Sequence, residues 1–210
     1  MRSAPGLARV LSLLPRVSVH GPWSRAIGYH LIQGPPPGAP RGARPEPLWP
    51  RGAALHGARF TPRGGFETIY VAGDPLTALL EVSAVFSHPN APPGTLRLPP
   101  WVLLAVEGTV DDVLDLTDAA IQARLGTSLQ ELTGDWQVQQ SLFLTGRGPR
   151  PPTQALGRAA HAGGVIRGLL YPAAKNLPSG IGLAILADRL RPPNYLEVYD
   201  PHGHLVDRRP

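Results

Sequence analysis

A chain of 210 residues, of which 42% are apolar, can enclose one hydrophobic core and is short for two stable domains. It contains no cysteine, which excludes disulfides, cysteine-ligated zinc and thiol nucleophiles. Its formal net charge is +5, but nineteen of its twenty basic residues are arginine, a bias consistent with codon supply. The charge is therefore weak support for nucleic-acid binding, and direct binding of nucleic acid is not expected.

The N-terminal part of the chain predicts a helix and a loop before the main fold. Four apolar side chains recur there at helical spacing: Leu7, Val10, Leu11 and Leu14. We expect residues 1–26 to form a helical extension, a first strand at 27–33, and a proline- and glycine-rich loop at 34–50. No stretch has the length of a membrane span, so a soluble, cytoplasmic protein is expected.

The rest of the chain predicts strands and helices in mixed order. Residues 67–72 alternate as a strand does, with Ile69 and Val71 on one face and Tyr70 on the other. Asp74 is then expected to cap a helix. Further strands are predicted at 101–110, 165–171 and 181–187, helices at 118–126, 128–144 and 153–163 (capped by Thr153), and a hairpin at 195–207. Without regular βαβ alternation, this order predicts one compact α/β (α+β mixed) domain over residues 27–210.

Two patterns with metal-binding side chains carry little weight. His202 and His204 lie in a predicted turn, where a histidine pair is usually plain surface. Five carboxylates between residues 107 and 118 are interleaved with apolar residues, which is typical of a solvated turn and helix start. The sequence predicts no metal site.

Arg59, Tyr70 and Glu81 stand eleven residues apart across a predicted loop, strand and helix. A guanidinium can bind pyrophosphate, an aromatic ring can stack on a heterocycle, and a carboxylate can stabilise developing positive charge. Those are the needs of an enzyme that breaks the glycosidic bond of a nucleotide. The plainer interpretation is a surface arginine, a half-buried strand aromatic and a solvated glutamate.

Two blocks of sequence resemble the RES domain family. The first is G-A-R-F-x-P-x-G-G-F, I-Y-V-A and D-P-x-T-A-L-x-E-V within residues 57–86, and the second is T-Q-A-L-G at 153–157 with G-L-L-Y-P-A-A-K at 168–175. The resemblance implies a fold related to ADP-ribosyltransferase toxins and NAD as substrate, with no further cofactor. It also implies the toxin of a toxin–antitoxin pair, whose partner is an Xre-like antitoxin with a helix-turn-helix domain.

The resemblance assigns roles to individual positions. It implies catalytic roles for Arg59, Tyr70 and Glu81, with Arg59 on the diphosphate, Tyr70 against nicotinamide or adenine, and Glu81 at the ribose. His30 stands where the family usually has an arginine and is expected to contact phosphate, and Lys175 adds positive charge near the site.

Two further positions leave alternatives open. Arg63 is either a second phosphate contact or loop surface. Ala173 stands where the family has a serine, so a hydroxyl is absent.

The expected reaction is NAD cleavage by a glycohydrolase or phosphorylase, with water or inorganic phosphate as co-substrate. One alternative is an ADP-ribosyltransferase that modifies a protein. Another is a non-catalytic binding module with a degenerate site, whose basic N-terminal third binds an acidic partner or nucleic acid.

Overall fold

A computed structural model describes residues 1, 4–35, 38–39, 42–86 and 100–210, which form one mixed α/β domain. The strands of this part are β1 (Val17–His20), β2 (Trp23–Gly28), β3 (Thr68–Ala72), β4 (Trp101–Asp115), β5 (Gly168–Pro172), β6 (Ile181–Leu186), β7 (Tyr195–Tyr199) and β8 (Arg208–Arg209). The helices are α1 (Ala4–Leu11), α2 (His30–Gln33), α3 (Arg51–His56), α4 (Pro75–Phe86), α5 (Ala119–Leu125), α6 (Leu129–Thr133), α7 (Trp136–Leu144) and α8 (Pro152–Gly163). The expected fold class is confirmed.

The long strand β4 organises the sheet. Its first half pairs with β2 and β7, and its second half pairs with β1 and β5. The β4–β5 pair is parallel and the other pairs are antiparallel. Because the path β2–β3–β6–β5–β4 returns to β2, these five strands close into a ring. Because β3 and β6 are antiparallel, the end of β3 lies beside the start of β6, and the start of β3 lies beside the end of β6.

The side chains of β3 alternate between two core clusters, as predicted. Ile69 and Val71 are buried in a cluster with apolar side chains of β2, β4 and β6. Tyr70 packs on the opposite face, against a cluster to which α1, α5 and α8 contribute. This second face of the sheet is where the candidate site lies.

The described residues of the segment 1–26 are not helical throughout. Helix α1 is present as expected and buries Leu7 and Leu11, but β1 and β2 are strands of the sheet. The strand expected at 27–33 is also misplaced, because β2 ends at Gly28 and α2 begins at His30. Strands of four and six residues carry too short an alternation to be recognised beside a clear helical pattern.

The segment from 111 to 115 was expected as a solvated turn, and it continues β4 instead. Val113 and Leu114 are fully buried and pair with β5, which extends the strand to Asp115. The cap expected at Thr153 is also wrong, because α8 begins at Pro152 and Thr153 is buried.

Candidate active site

The loop 57–61, which carries Arg59, is held by two helices. Gly57 has a φ of 83°, and a Cβ at this position would overlap the side-chain amide of Gln140 on α7. Gln140 donates to the last carbonyl of α3 (3.2 Å), and Gln154 of α8 donates to Gln140 (2.7 Å) and to a loop carbonyl (3.0 Å). The loop is therefore fixed before any ligand binds.

Arg59 is a buried cation without an acidic partner. Arg59 is only 7% exposed. Its Nη1 donates to the carbonyl oxygens of Leu132 (2.8 Å) and Gly134 (2.9 Å). Its Nε is buried and has no hydrogen-bond partner among the described residues, nor does any carboxylate there form an ion pair with it. Buried charges are normally paired, so an anionic ligand would complete this site.

Tyr70 braces the same loop through its hydroxyl group. The phenol oxygen accepts a hydrogen bond from the backbone N–H of Phe60 (3.0 Å) and lies 3.2 Å from Oγ1 of Thr61. Burial raises the pKa of Tyr70 to about 12, so the phenol is neutral at physiological pH. The geometry makes Tyr70 a positioning residue for Arg59, and the stacking role implied by the resemblance stays a prediction.

Replacing Tyr70 by phenylalanine is expected to lower the free energy of unfolding by about 1–3 kcal/mol, because the Phe60 N–H would lose its acceptor. Denaturant unfolding followed by tryptophan fluorescence measures this. Tyr199→Phe is the matched control, because Tyr199 is 58% exposed on β7 and should unfold as the unsubstituted protein does. Equal stability of the two variants would contradict the bracing role.

Glu81 is placed by α4 and by the loop that follows β5. The cap predicted at Asp74 is confirmed, since its Oδ1 accepts the Thr77 N–H at 2.8 Å. Asn176, in the loop, donates to the Thr77 hydroxyl (2.7 Å) and joins the loop to the helix. The backbone N–H of Lys175 then donates to Oε1 of Glu81 at 3.1 Å. The carboxylate is tethered while the residue remains partly exposed.

Tyr171 on β5 packs in the same core cluster as Phe60 and Tyr70, although sequence reasoning assigned it no role. It is 4% exposed, and its ring meets that of Phe60 edge-on at 5.0 Å. Burial, and then the negative charge of Glu81, raise the pKa of Tyr171 well above its usual value, and the positive charge of Arg59 opposes them. The sequence signal that pointed to Tyr171 was its place in the block 168–175, which resembles the RES domain family.

Arg59 and Glu81 line one cleft with a volume of about 130 Å³, together with Lys175. Its other wall is the segment 133–137, which runs from the last residue of α6 into the first turn of α7. Trp136 contributes a half-buried indole ring to this wall. Sequence reasoning recognised only a helical region here, because the cap of α7 resembles any other helix start.

The remaining predicted residues lie elsewhere. His30 is exposed on α2 and does not line the cleft. Arg63 is exposed and lines a different groove. Ala173 is fully buried, and its N–H donates to the carbonyl of Gly180 (2.8 Å). The NAD contacts of His30 and Arg63 stay predictions that this geometry does not support.

Two other kinds of feature are absent from the described ranges. No group of three histidine or carboxylate side chains there is placed to hold a metal ion. Within the same ranges, no helix has both the length and the apolar character needed to cross a membrane.

Comparison with known proteins bears on the fold and the family of this chain. A chain in the crystal structure of the M. tuberculosis MbcT–MbcA toxin–antitoxin complex matches with a TM-score of 0.66 and 24% identity, over 93% of this chain and 90% of that chain. At that identity the likeness shows the fold alone. No curated protein matches at a significant level. The profile of the RES domain family matches residues 35–207, most of the sequence, and the chain belongs to the RES domain family.

Proposed function

We propose that this protein cleaves the bond between nicotinamide and ribose in NAD, with water or inorganic phosphate as acceptor. In this proposal it acts in the cytoplasm as the toxin of a toxin–antitoxin pair. The observation that carries the proposal is one cleft that holds both the unpaired guanidinium of Arg59 and the carboxylate of Glu81, in a RES domain chain.

The cleft offers a place for each part of the nicotinamide half of NAD. The guanidinium of Arg59, which forms no ion pair within the described residues, attracts the diphosphate, and guanidinium groups bind phosphates by paired hydrogen bonds. The indole of Trp136 offers a flat face to the cationic pyridinium ring. A volume of about 130 Å³ is below the roughly 300–1,000 Å³ of sites that enclose whole ligands. The cleft suits the reacting end of NAD, with the adenosine lying across open surface.

Glu81 supplies the electrostatic stabilisation that this reaction needs. When the bond breaks, its electron pair returns to the pyridinium nitrogen, so nicotinamide leaves neutral and needs no acid. Positive charge then develops on the ribose, and the carboxylate of Glu81 stabilises it. The oxygen of water attacks the anomeric carbon and releases one proton to solvent. With phosphate as acceptor, the exposed ammonium of Lys175 at the cleft attracts the anion.

An exposed apolar face beside the cleft supports a protein partner. Val138 and Leu142 lie four residues apart on α7, the helix that carries Trp136, and therefore share one face of it. They are 52% and 42% exposed. A solved structure with a matching fold is a toxin–antitoxin complex. We propose that an Xre-like helix-turn-helix antitoxin covers this face and closes the cleft.

Incubation of the purified protein with NAD, with and without phosphate, tests the reaction. Chromatography is expected to show nicotinamide with ADP-ribose, or with its phosphorylated form when phosphate is present. Unchanged NAD in both mixtures, with a folded protein, would sink the proposal. In cells, induced expression should lower NAD, and co-expression of the antitoxin should prevent that loss.

A non-catalytic binding module is the second candidate, and Ala173 is the observation that favours it. The residue is buried next to the cleft-lining Ala174 and lacks the hydroxyl of the family serine. NAD binding without turnover in the same mixtures would favour this reading. Label transferred from NAD to a protein band in a lysate would instead identify an ADP-ribosyltransferase.

A further inference from the structure

A second concave surface shares no lining residue with the cleft of Arg59 and Glu81. The cleft is lined by Glu81 of α4, which follows β3, and by Lys175, which precedes β6, whereas this surface is lined by Glu67 before β3 and Asp188 after β6. The loop before β3 contributes to both, with Arg59 at the cleft and Arg63 at the second surface. We name the surface the basic groove, after the residues Arg63, Arg150, Arg158 and His161 that line it together with Phe66. Its volume is about 630 Å³.

The three arginines of the basic groove have no acidic partners. All fifteen acidic residues of the chain lie in its described part, and none forms an ion pair with these three. Of the two carboxylates on the groove, Glu67 lies 3.6 Å from Arg51, outside the groove, and Asp188 lies 2.6 Å from His161, within it, so the three arginines outnumber the carboxylates. The groove therefore carries an excess of positive charge.

Arg150 and Arg158 both line the groove, and Arg150 is held against an aromatic ring. Its guanidinium carbon lies over the ring of Phe143, 4.5 Å from the centroid. Burial lowers the pKa of Arg150, and the like charge of Arg158 on the same groove lowers it further. A ligand with adjacent negative charges would relieve that repulsion.

The wall of the basic groove includes a flat aromatic pair. The rings of Phe66 and His161 stack with centroids 4.3 Å apart and planes 6° apart. His161 is held in place at both its backbone and its ring, because Arg189 donates to its carbonyl (3.2 Å) and its Nε2 forms a hydrogen bond with Asp188. A rigid aromatic surface beside paired guanidiniums suits a heterocycle joined to phosphates. The volume of the groove falls within the range of about 300–1,000 Å³ typical of small-molecule sites.

We propose that the basic groove is a second ligand site of this protein, which binds a small molecule carrying a di- or triphosphate group, such as a nucleotide. It lies apart from the cleft that contains Arg59 and Glu81, and it does not depend on the reaction proposed for that cleft. The phosphates contact Arg150 and Arg158, Arg63 adds charge at the rim, and a base stacks on the Phe66–His161 pair.

Calorimetric titration of the full chain with ATP and with inorganic pyrophosphate, at low salt and without magnesium, tests this site. Arg150→Gln/Arg158→Gln is expected to weaken binding of both probes by about tenfold or more. The control Arg147→Gln/Arg191→Gln removes the same charge from two exposed arginines outside the groove and should bind as the unsubstituted protein does. Circular dichroism checks that each variant is folded.

The titrations separate the groove from other sources of binding. Tighter binding of ATP than of pyrophosphate supports base stacking, and equal binding supports the phosphate contacts alone. The proposal is overturned if neither probe binds, or if binding survives Arg150→Gln/Arg158→Gln and is lost in Arg59→Gln. Binding of a single-stranded oligonucleotide without binding of ATP or pyrophosphate would overturn it too, in favour of a nucleic-acid surface.

Discussion

Glu81→Gln is expected to lower the rate of NAD cleavage by about 100- to 1,000-fold, the usual effect of removing one electrostatic stabiliser of a transition state. Glutamine keeps the side-chain oxygen that accepts the Lys175 N–H, so the contact between α4 and the loop remains. It removes the negative charge that stabilises the cationic ribose. The loss should therefore appear in kcat, with a much smaller change in the KM for NAD.

Glu107→Gln is the matched control for this measurement. Glu107 is exposed on β4, opposite Glu197 of β7, and does not line the cleft. Its substitution changes the net charge by the same amount and should leave turnover unchanged. Full activity of Glu81→Gln would remove the carboxylate from the mechanism.

Gly157→Ala is expected to destabilise the fold by about 1–3 kcal/mol and to reduce NAD cleavage with it. In most helices this substitution stabilises by about 0.5–1 kcal/mol, because alanine is the better helix former. Here, a Cβ on Gly157 would overlap the carbonyl oxygen of Phe60, which is backbone of the loop carrying Arg59. Either α8 or the loop 57–61 must move, which lowers the stability of the fold and displaces Arg59.

Gly163→Ala, in the last turn of the same helix, is the matched control. No atom lies near the Cβ that it would add, so stability and turnover should be unchanged or slightly improved. Thermal unfolding shows the contrast, with an expected fall of about 2–12 °C for Gly157→Ala alone. Equal melting temperatures would contradict the prediction, because they would mean that the loop 57–61 accommodates the added Cβ without loss of stability.

Local patterns predicted the elements that carry the proposed chemistry. The alternation of β3 and the Asp74 cap of α4 depend only on neighbouring residues, so both are legible in the sequence. Arg59, Tyr70 and Glu81 lie on a continuous loop, strand and helix. That continuity is why their spacing could indicate a shared site.

The parts of the site that sequence reasoning missed come from distant segments. Trp136 lines the cleft with Arg59 only through the packing of α7, and Tyr171 meets Phe60 only through the pairing of β5 with β4 and β6. No local pattern specifies either contact. The bracing role of Tyr70 depends in the same way on a contact with the backbone of Phe60. His30, which the resemblance assigned to the site as part of the first strand, lies on α2 after β2 has ended and does not line the cleft.

The tether of Glu81 has a consequence for how this chain can vary. The group that holds its carboxylate is the peptide N–H of residue 175, and every amino acid except proline supplies one. The side chain at position 175 can thus be exchanged while the carboxylate of Glu81 keeps its orientation. Under the proposed mechanism, acceptor preference could then evolve through the side chain of residue 175 without disturbing the carboxylate.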